Sequence, residues 1–190
     1  MMKNLMLGLI GLLGLLGPIL SFAHNPLSAR YHFEVGAEVS LLTISLSQDG
    51  VHQALIKGYG RERLEVSTEK EYKELLVAYV KKNFQLQIDQ TKMVLKQGGL
   101  KLGSHQTDLK FVLPPIARKI TQMEVTITAF QENEHHQTIF TYPIDGKTKY
   151  VVLNASNDYQ ATVRLRGGGS TVYRWPRFIF MVLMILLFLQ

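Results

Sequence analysis

Residues 72–88, YKELLVAYVKKNFQLQI, change their hydrophobic period at Asn83, and this change indicates the fold class. Before Asn83, apolar side chains recur at helical spacing over residues 72–80, which predicts an amphipathic helix. Thr68 and Glu71 have the spacing of a capping box at the start of this helix. After Asn83, apolar and polar side chains alternate, which predicts a half-buried strand.

Alternating patterns dominate the rest of the chain. Residues 51–57 predict a shorter helix, Gly98-Gly99 predicts a turn, and Asp145-Gly146 suits a hairpin turn. Eight or nine short strands without βαβ alternation predict an antiparallel immunoglobulin-like β-sandwich. The predicted fold is therefore mostly β, with an inserted amphipathic helix and a C-terminal apolar helix. The alternating segments are 31–35, 42–46, 84–88, 109–113, 123–129, 136–142, 150–153 and 159–165.

The first 23 residues predict a secretory signal peptide. Lys3 supplies the positive start, an apolar stretch follows, and Pro18 breaks it before the small residues Ser21 and Ala23. Cleavage after Ala23 would make His24 the first residue of the exported chain. An uncleaved membrane helix is the alternative, although the apolar stretch is shorter than the roughly 20 residues that a span needs.

The C-terminus carries a second apolar run. Residues 24–165 are assigned to the exported domain, residues 166–177 predict a linker of glycines and arginines, and residues 178–190 predict a membrane-associating tail. A helix over residues 178–189 would cover about 18 Å, against a hydrocarbon core of about 30 Å. A short span, a shallow anchor and an aberrant extension of the chain therefore stay open.

Composition excludes several classes of function. The chain has 190 residues, a formal charge of +6 and no cysteine. Without cysteine there is no disulfide, no thiolate metal site and no cysteine nucleophile. The excess positive charge comes from the two ends, at Lys3, Arg164, Arg166, Arg174 and Arg177, so the charge does not predict a nucleic-acid partner.

The passage 79–89 (YVKKNFQLQID), the segment 125–140 and the closing segment 153–163 resemble a family of small exported Bacteroidota proteins of unknown function. The likeness covers residues 24 to about 165. The chain departs from it after Leu165, where such proteins end, and at the start, where His24-Asn25-Pro26 replaces His-Pro. The helix-then-strand passage is also similar to extracytoplasmic domains of HupE/UreJ-like permeases, which implies a metal connection. Neither resemblance implies catalytic residues.

The histidines offer a candidate metal site. After cleavage, the α-amino nitrogen and the imidazole of His24 would form a bidentate pair that suits copper. His135 and His136 are adjacent, so in a strand they point to opposite faces, and His136 shares a face with Glu134. His24, His136 and Glu134 are therefore the candidate ligands. The alternative is that His24 only marks the cleavage point and that residues 132–136 form a solvated polar loop.

Catalytic motifs are absent from the sequence. It contains no nucleophile elbow, P-loop, dinucleotide fingerprint or HExxH. Ser104, His105 and Asp108 are residue types of a nucleophilic triad, but local spacing does not show that they converge. No catalytic or cofactor-binding residue is assigned, and the chain is expected not to be an enzyme.

Together, these features predict an exported, membrane-tethered, non-enzymatic binding module on the periplasmic side of a cell-envelope membrane. Membrane lipid is the expected partner through the C-terminal tail, and another envelope protein is a second candidate partner. The alternative is a periplasmic copper-type metal-binding protein that uses His24 with His136. The ligand, the oligomeric state and the choice of envelope membrane stay open.

Overall fold

The computed structural model describes residues 28–116, 120–166 and 169–173. The predicted signal peptide, His24 and the predicted apolar tail lie outside the described residues. The described chain is mostly β, with two sheets, and three α-helices lie between the second and third strands. The expected mostly-β class with a helical insertion is confirmed.

The elements follow one another in the order of the sequence patterns. The helices are α1 (Gln48–Tyr59), α2 (Arg61–Glu65), α3 (Glu69–Lys82) and a 3-10 helix over Ala155–Asn157. The strands are β1 (Ala29–Glu34), β2 (Ser40–Ser47), β3 (Phe84–Ile88), β4 (Thr91–Lys92), β5 (Gly98–Leu102), β6 (Gln106–Leu113), β7 (Gln122–Ile127), β8 (Thr138–Ile144), β9 (Lys147–Leu153), β10 (Gln160–Arg166) and β11 (Gly169–Tyr173).

The strand order reveals one pairing that the sequence patterns do not predict. The larger sheet has the order β5-β6-β2-β1-β8-β9, and the smaller sheet has the order β11-β10-β7-β3-β4. β1 and β8 run parallel, with Ala29 opposite Thr138, whereas antiparallel strands were predicted. Parallel neighbours need a long crossover, and here the whole segment from β2 to β7 supplies it.

A single hydrophobic core joins the two sheets and the helices. Alternate side chains of the strands point into it, and Tyr31 of β1 stacks on Phe84 of β3 with ring centroids 5.9 Å apart. Leu76 of α3 is fully buried in the same core, and Thr68 and Glu71 form the predicted capping box. The amphipathic pattern of α3 therefore predicted its buried face correctly.

The predicted turn at Gly98-Gly99 is wrong, because both glycines belong to β5, an edge strand of the larger sheet. A Cβ atom on Gly98 would lie 1.6 Å from the carbonyl oxygen of Lys110 in β6. Gly98 therefore permits a close approach of two backbones. The predicted turn at Asp145-Gly146 is confirmed, and both of its residues have the positive φ of a tight hairpin.

The smaller sheet also continues into the segment that was predicted to be a linker. β11 pairs antiparallel with β10, and Arg166 lies opposite Gly169 in the register. The linker prediction over residues 166–177 is therefore wrong at Gly169–Tyr173, and the ordered domain does not close at Leu165. The glycine run suggested flexibility, but the residues that follow it include threonine, valine and tyrosine, which fit a pleated sheet.

Candidate functional site

A polar cleft opens at one end of the larger sheet, where β8 begins and β9 ends. Its volume is about 450 Å³. One wall is the loop of residues 130–137, which joins β7 to β8, and the other is the turn that contains Asn154 and Ser156. Lys57 of α1 and Tyr159 complete the lining. The cleft therefore collects amide, carboxylate, imidazole and ammonium groups in one place.

The helices anchor the 130–137 loop. The Tyr79 hydroxyl of α3 donates to Oε1 of Glu132 at 2.6 Å and accepts the backbone N–H of Phe130, also at 2.6 Å. The Lys57 ammonium of α1 donates to the carbonyl of Glu132. Asn133 donates through its side-chain amide to the carbonyl of Gly50 at 3.0 Å. These bonds hold the loop against both long helices.

Strained backbone is concentrated beside the cleft. Phe130 and His135 of the loop have φ values of 68° and 57°, and Asp158 and Tyr159 on the opposite wall have values of 52° and 56°. Residues other than glycine rarely adopt this left-handed region of φ and ψ, and residues with bulky side chains adopt it least often. Such strain persists only where the surrounding contacts impose it, and it is often found at functional sites.

His136 lies beneath the cleft, in an aromatic cluster. Its residue is 2% exposed, and its Nε2 is 2.9 Å from Oγ1 of Thr138. The ring centroid lies 5.6 Å from that of Phe130 and 6.3 Å from that of Tyr159. His136 therefore packs as a hydrogen-bonded core side chain in this structure.

Glu134 and His135 project outward instead. The carboxylate Oε1 of Glu134 lies 3.4 Å from Nε2 of His135, and the two side chains are 88% and 86% exposed. The predicted strand face shared by Glu134 and His136 is wrong, because β8 begins only at Thr138. Successive hydrogen-bonded turns, including His136 N–H to the Asn133 carbonyl, replace the strand over this segment.

Three or more metal-ligating side chains do not converge anywhere within the described residues. The proposed ligand His24 lies outside them, so the predicted set of His24, His136 and Glu134 stays a prediction. The structure places Glu134 on the rim of the cleft and His136 below it.

Burial and charge keep two tyrosines of the site protonated. Burial raises the pKa of Tyr79, and its hydrogen bond to the Glu132 carboxylate raises it further. Burial also raises the pKa of Tyr159, with a smaller contribution from the charge of Glu132. The Tyr79 hydroxyl is therefore a permanent donor to Glu132 over the physiological range.

A second depression is lined by two of the three residues with triad chemistry, and Asp108 is not among its lining residues. Ser104 and His105 line it, close to Ser28 at the start of β1. The Asp108 carboxylate accepts hydrogen bonds from Ser45 at 2.9 Å and from Gln106 at 2.7 Å. Asp108 therefore has structural partners on neighbouring strand positions.

Sequence reasoning missed the anchoring residues of the cleft. Periodicity places Tyr79 on the apolar face of α3, and this is correct for its ring but says nothing about its hydroxyl. Glu132 and Asn133 appeared as part of a polar loop. The only signal in the sequence was the density of amide and carboxylate residues between two strand patterns.

A scan against protein-family models finds no match to this chain, and a search of curated proteins finds none either. Among the residues that the structure describes, none of the helices combines the length and the apolar character needed to cross a bilayer.

Proposed function

We propose that this chain is an exported, membrane-tethered, non-enzymatic binding module of the bacterial cell envelope, built on an immunoglobulin-like β-sandwich. The observation that carries the proposal is the polar cleft beside the anchored 130–137 loop. Two hydrogen-bonded helices and a sheet hold this loop in a strained conformation, and loops on rigid frames commonly provide binding surfaces. The lining groups offer both donors and acceptors to a polar ligand.

Sequence features at both ends support export and tethering. The basic start, the apolar stretch and the small residues before His24 favour secretion, and the apolar residues 178–190 favour contact with lipid. The resemblance to small exported Bacteroidota proteins supports the same location, on the periplasmic side of an envelope membrane. In this proposal the tail binds lipid, and the cleft binds a second envelope component.

Photo-crosslinking in intact cells tests the cleft. A photoreactive amino acid replaces Gln137, which is exposed and lines the cleft. We expect the full-length protein to form a discrete adduct with an envelope component, identified by mass spectrometry. The matched control places the same amino acid at Thr148, which is exposed near the opposite end of the β8–β9 hairpin.

The comparison between the two positions decides the result. An adduct that forms from position 137 and not from position 148 supports a ligand at the cleft. Equal labelling from both positions, or none from either, contradicts the proposal. Fractionation of the same cells shows whether the adduct lies in the envelope.

Copper-type metal binding by His24, His136 and Glu134 is a second candidate function, and one observation favours it. The N–H of Ala29 donates to the carbonyl of Gln137 at 3.1 Å, and β1 runs parallel to β8 from this point. The chain therefore enters β1 beside the 130–137 loop, and His24 precedes Ala29 by five residues in the sequence.

A further inference from the structure

We propose that the cleft beside the 130–137 loop binds the ammonium group of a primary amine, carried either by a small molecule or by a lysine side chain of another envelope protein. This step rests on the proposed binding function and names the chemistry of its ligand. Three properties of the cleft support it: most of its donors bind within the protein, two of its acceptor atoms have no partner, and its net charge is negative.

The hydrogen-bond donors of the cleft mostly bind acceptors of the protein itself. The Lys57 ammonium donates to the carbonyl of Glu132. The Asn133 side-chain amide donates to a backbone carbonyl of α1 at 3.0 Å, and the Ser156 hydroxyl donates to Oδ1 of Asn154 at 2.7 Å. Because phosphates and carboxylates are bound through such donors, the cleft is poorly equipped for an anionic ligand.

Two acceptor atoms of the lining have no hydrogen bond. Asn133 is 2% exposed, and its Oδ1 has no partner within the described chain. The Asn133 amide cannot turn this oxygen elsewhere, because its nitrogen is held by the bond to α1. The Tyr79 hydroxyl bonds to Oε1 of the half-buried Glu132, and no bond from a described residue reaches Oε2. An acceptor left buried and unpaired is unfavourable, so these atoms point to a donor from outside the chain.

The charge of the cleft favours a cation. Its lining holds the carboxylates of Glu132 and Glu134 and the single ammonium of Lys57, which gives a net charge of −1 with the histidines uncharged. The charge of Glu132 acts across the cleft, because it contributes to the raised pKa of Tyr159 on the opposite wall. An ammonium group brings one positive charge and three N–H donors, and therefore matches both the field and the unpaired acceptors.

The second depression, around Ser104, lacks these properties. Three buried side-chain oxygens of the described chain have no hydrogen-bond partner, and they belong to Tyr31, Thr107 and Asn133. Asn133 lines the cleft, whereas none of the three residues lines the second depression. The charges of Arg30 and Asp49 also balance there. We therefore assign ammonium binding to the cleft.

Small amines are suitable probes, because the cleft volume of about 450 Å³ lies near the lower end of the range of small-ligand sites, about 300–1,000 Å³. Full-length protein in a non-ionic detergent is titrated by calorimetry with pentylamine and with neutral pentanol. A second pair is a capped tripeptide with a central lysine and the same tripeptide with norleucine. We expect at least one amine to bind, one per chain, about tenfold more tightly than its neutral counterpart.

The two pairs of probes distinguish the sources of the amine. Tighter binding of the lysine peptide than of pentylamine indicates a protein partner, and the reverse order indicates a small molecule. Either order supports an ammonium site. Raising the salt concentration should weaken the binding of the amines and leave that of the neutral probes unchanged.

Three variants locate the site. Glu132→Gln keeps an oxygen for the Tyr79 hydroxyl and removes the charge, and should weaken amine binding about tenfold. Glu134→Gln acts on a side chain that is 88% exposed, so it should weaken binding only about two- to fivefold and leave the fold intact. Glu38→Gln is the matched control, because Glu38 is exposed between β1 and β2, beyond the end of β1 opposite to the cleft. It should bind as the wild type does.

Two results would overturn the inference. One is equal binding of both amines and their neutral counterparts. The other is unchanged amine binding in both Glu132→Gln and Glu134→Gln, or an equal loss in Glu38→Gln. A cross-linked adduct from position 137 without amine binding would leave the binding module standing and remove the ammonium ligand. Absence of both would remove the module as well.

Discussion

Tyr79 joins α3 to the 130–137 loop through one hydroxyl group that donates to Glu132 and accepts from the N–H of Phe130. Tyr79→Phe keeps the buried ring but leaves the Phe130 amide without its acceptor. A buried amide without a partner costs about 1–3 kcal/mol, so we expect a loss of this size in the free energy of unfolding at pH 7. Urea titration measures it.

The same residue gives a pH dependence with a definite sign. An unfolded tyrosine ionises near pH 10, whereas burial and Glu132 keep Tyr79 protonated in the folded state. Above about pH 10 the unfolded chain therefore binds fewer protons, and stability falls as the pH rises. Tyr79→Phe should show a shallower fall. Tyr150→Phe, at a residue that is 67% exposed, is the control and should change stability at pH 7 by less than about 0.5 kcal/mol. If the stability of Tyr79→Phe fell with pH in parallel with that of the wild type, this prediction would be contradicted.

At the level of elements, β5 depends on a glycine for its place at the sheet edge. Gly98→Ala would force a Cβ atom to within 1.6 Å of the Lys110 carbonyl, so either β5 or β6 must move. We expect a destabilisation of more than about 2 kcal/mol. Gly99→Ala is the matched control, because nothing lies within 4 Å of its added Cβ. Equal melting temperatures for the two variants would show that β5 does not pair with β6 as described.

The burial of individual elements could be predicted from the sequence, but their partners could not. The alternation of Leu42, Ile44 and Leu46 identified the buried face of β2, because a strand's side chains alternate whatever its neighbour is. The parallel alignment of β1 with β8 produces no such pattern in the sequence of either strand. β11 was missed because glycines next to it suggested a linker.

The cleft was harder to predict than the sheets. Its loop bends through residues with positive φ, such as Phe130 and His135, and neither side chain favours that conformation on its own. Tertiary hydrogen bonds from Tyr79 and Lys57 hold the loop at Phe130 and Glu132. The local sequence does not show those long-range hydrogen bonds. The alternating pattern through His136 therefore predicted a strand where the structure has turns.

On the scale of the whole molecule, the last described strand ends at Tyr173, so truncation after this residue tests the proposed tail. Deleting residues 174–190 removes the apolar run and keeps β11, so we expect release from membranes with the domain still folded. Deleting residues 167–190 also removes β11 and exposes the edge of β10, which should lower stability and favour aggregation. Membrane fractionation and circular dichroism compare the two truncated forms with the full chain.

High salt provides the control for the mode of attachment. It should not release the full-length protein, because burial of apolar side chains in lipid is not screened by ions. Full-length protein found wholly in the soluble fraction would contradict tethering. Equal stability of the two truncated forms would show that β11 adds nothing to the sheet.

The parallel neighbour of β1 has a consequence for the order of events in synthesis. His32 of β1 bonds to Thr141 of β8, which lies 109 positions later in the chain. The first strand therefore cannot complete its sheet until three-quarters of the polypeptide is available. Contacts between such distant positions slow folding, because a long loop must close first. In the proposed export through a secretion channel from the N-terminus, β1 would therefore lack its parallel neighbour until most of the chain has crossed the membrane.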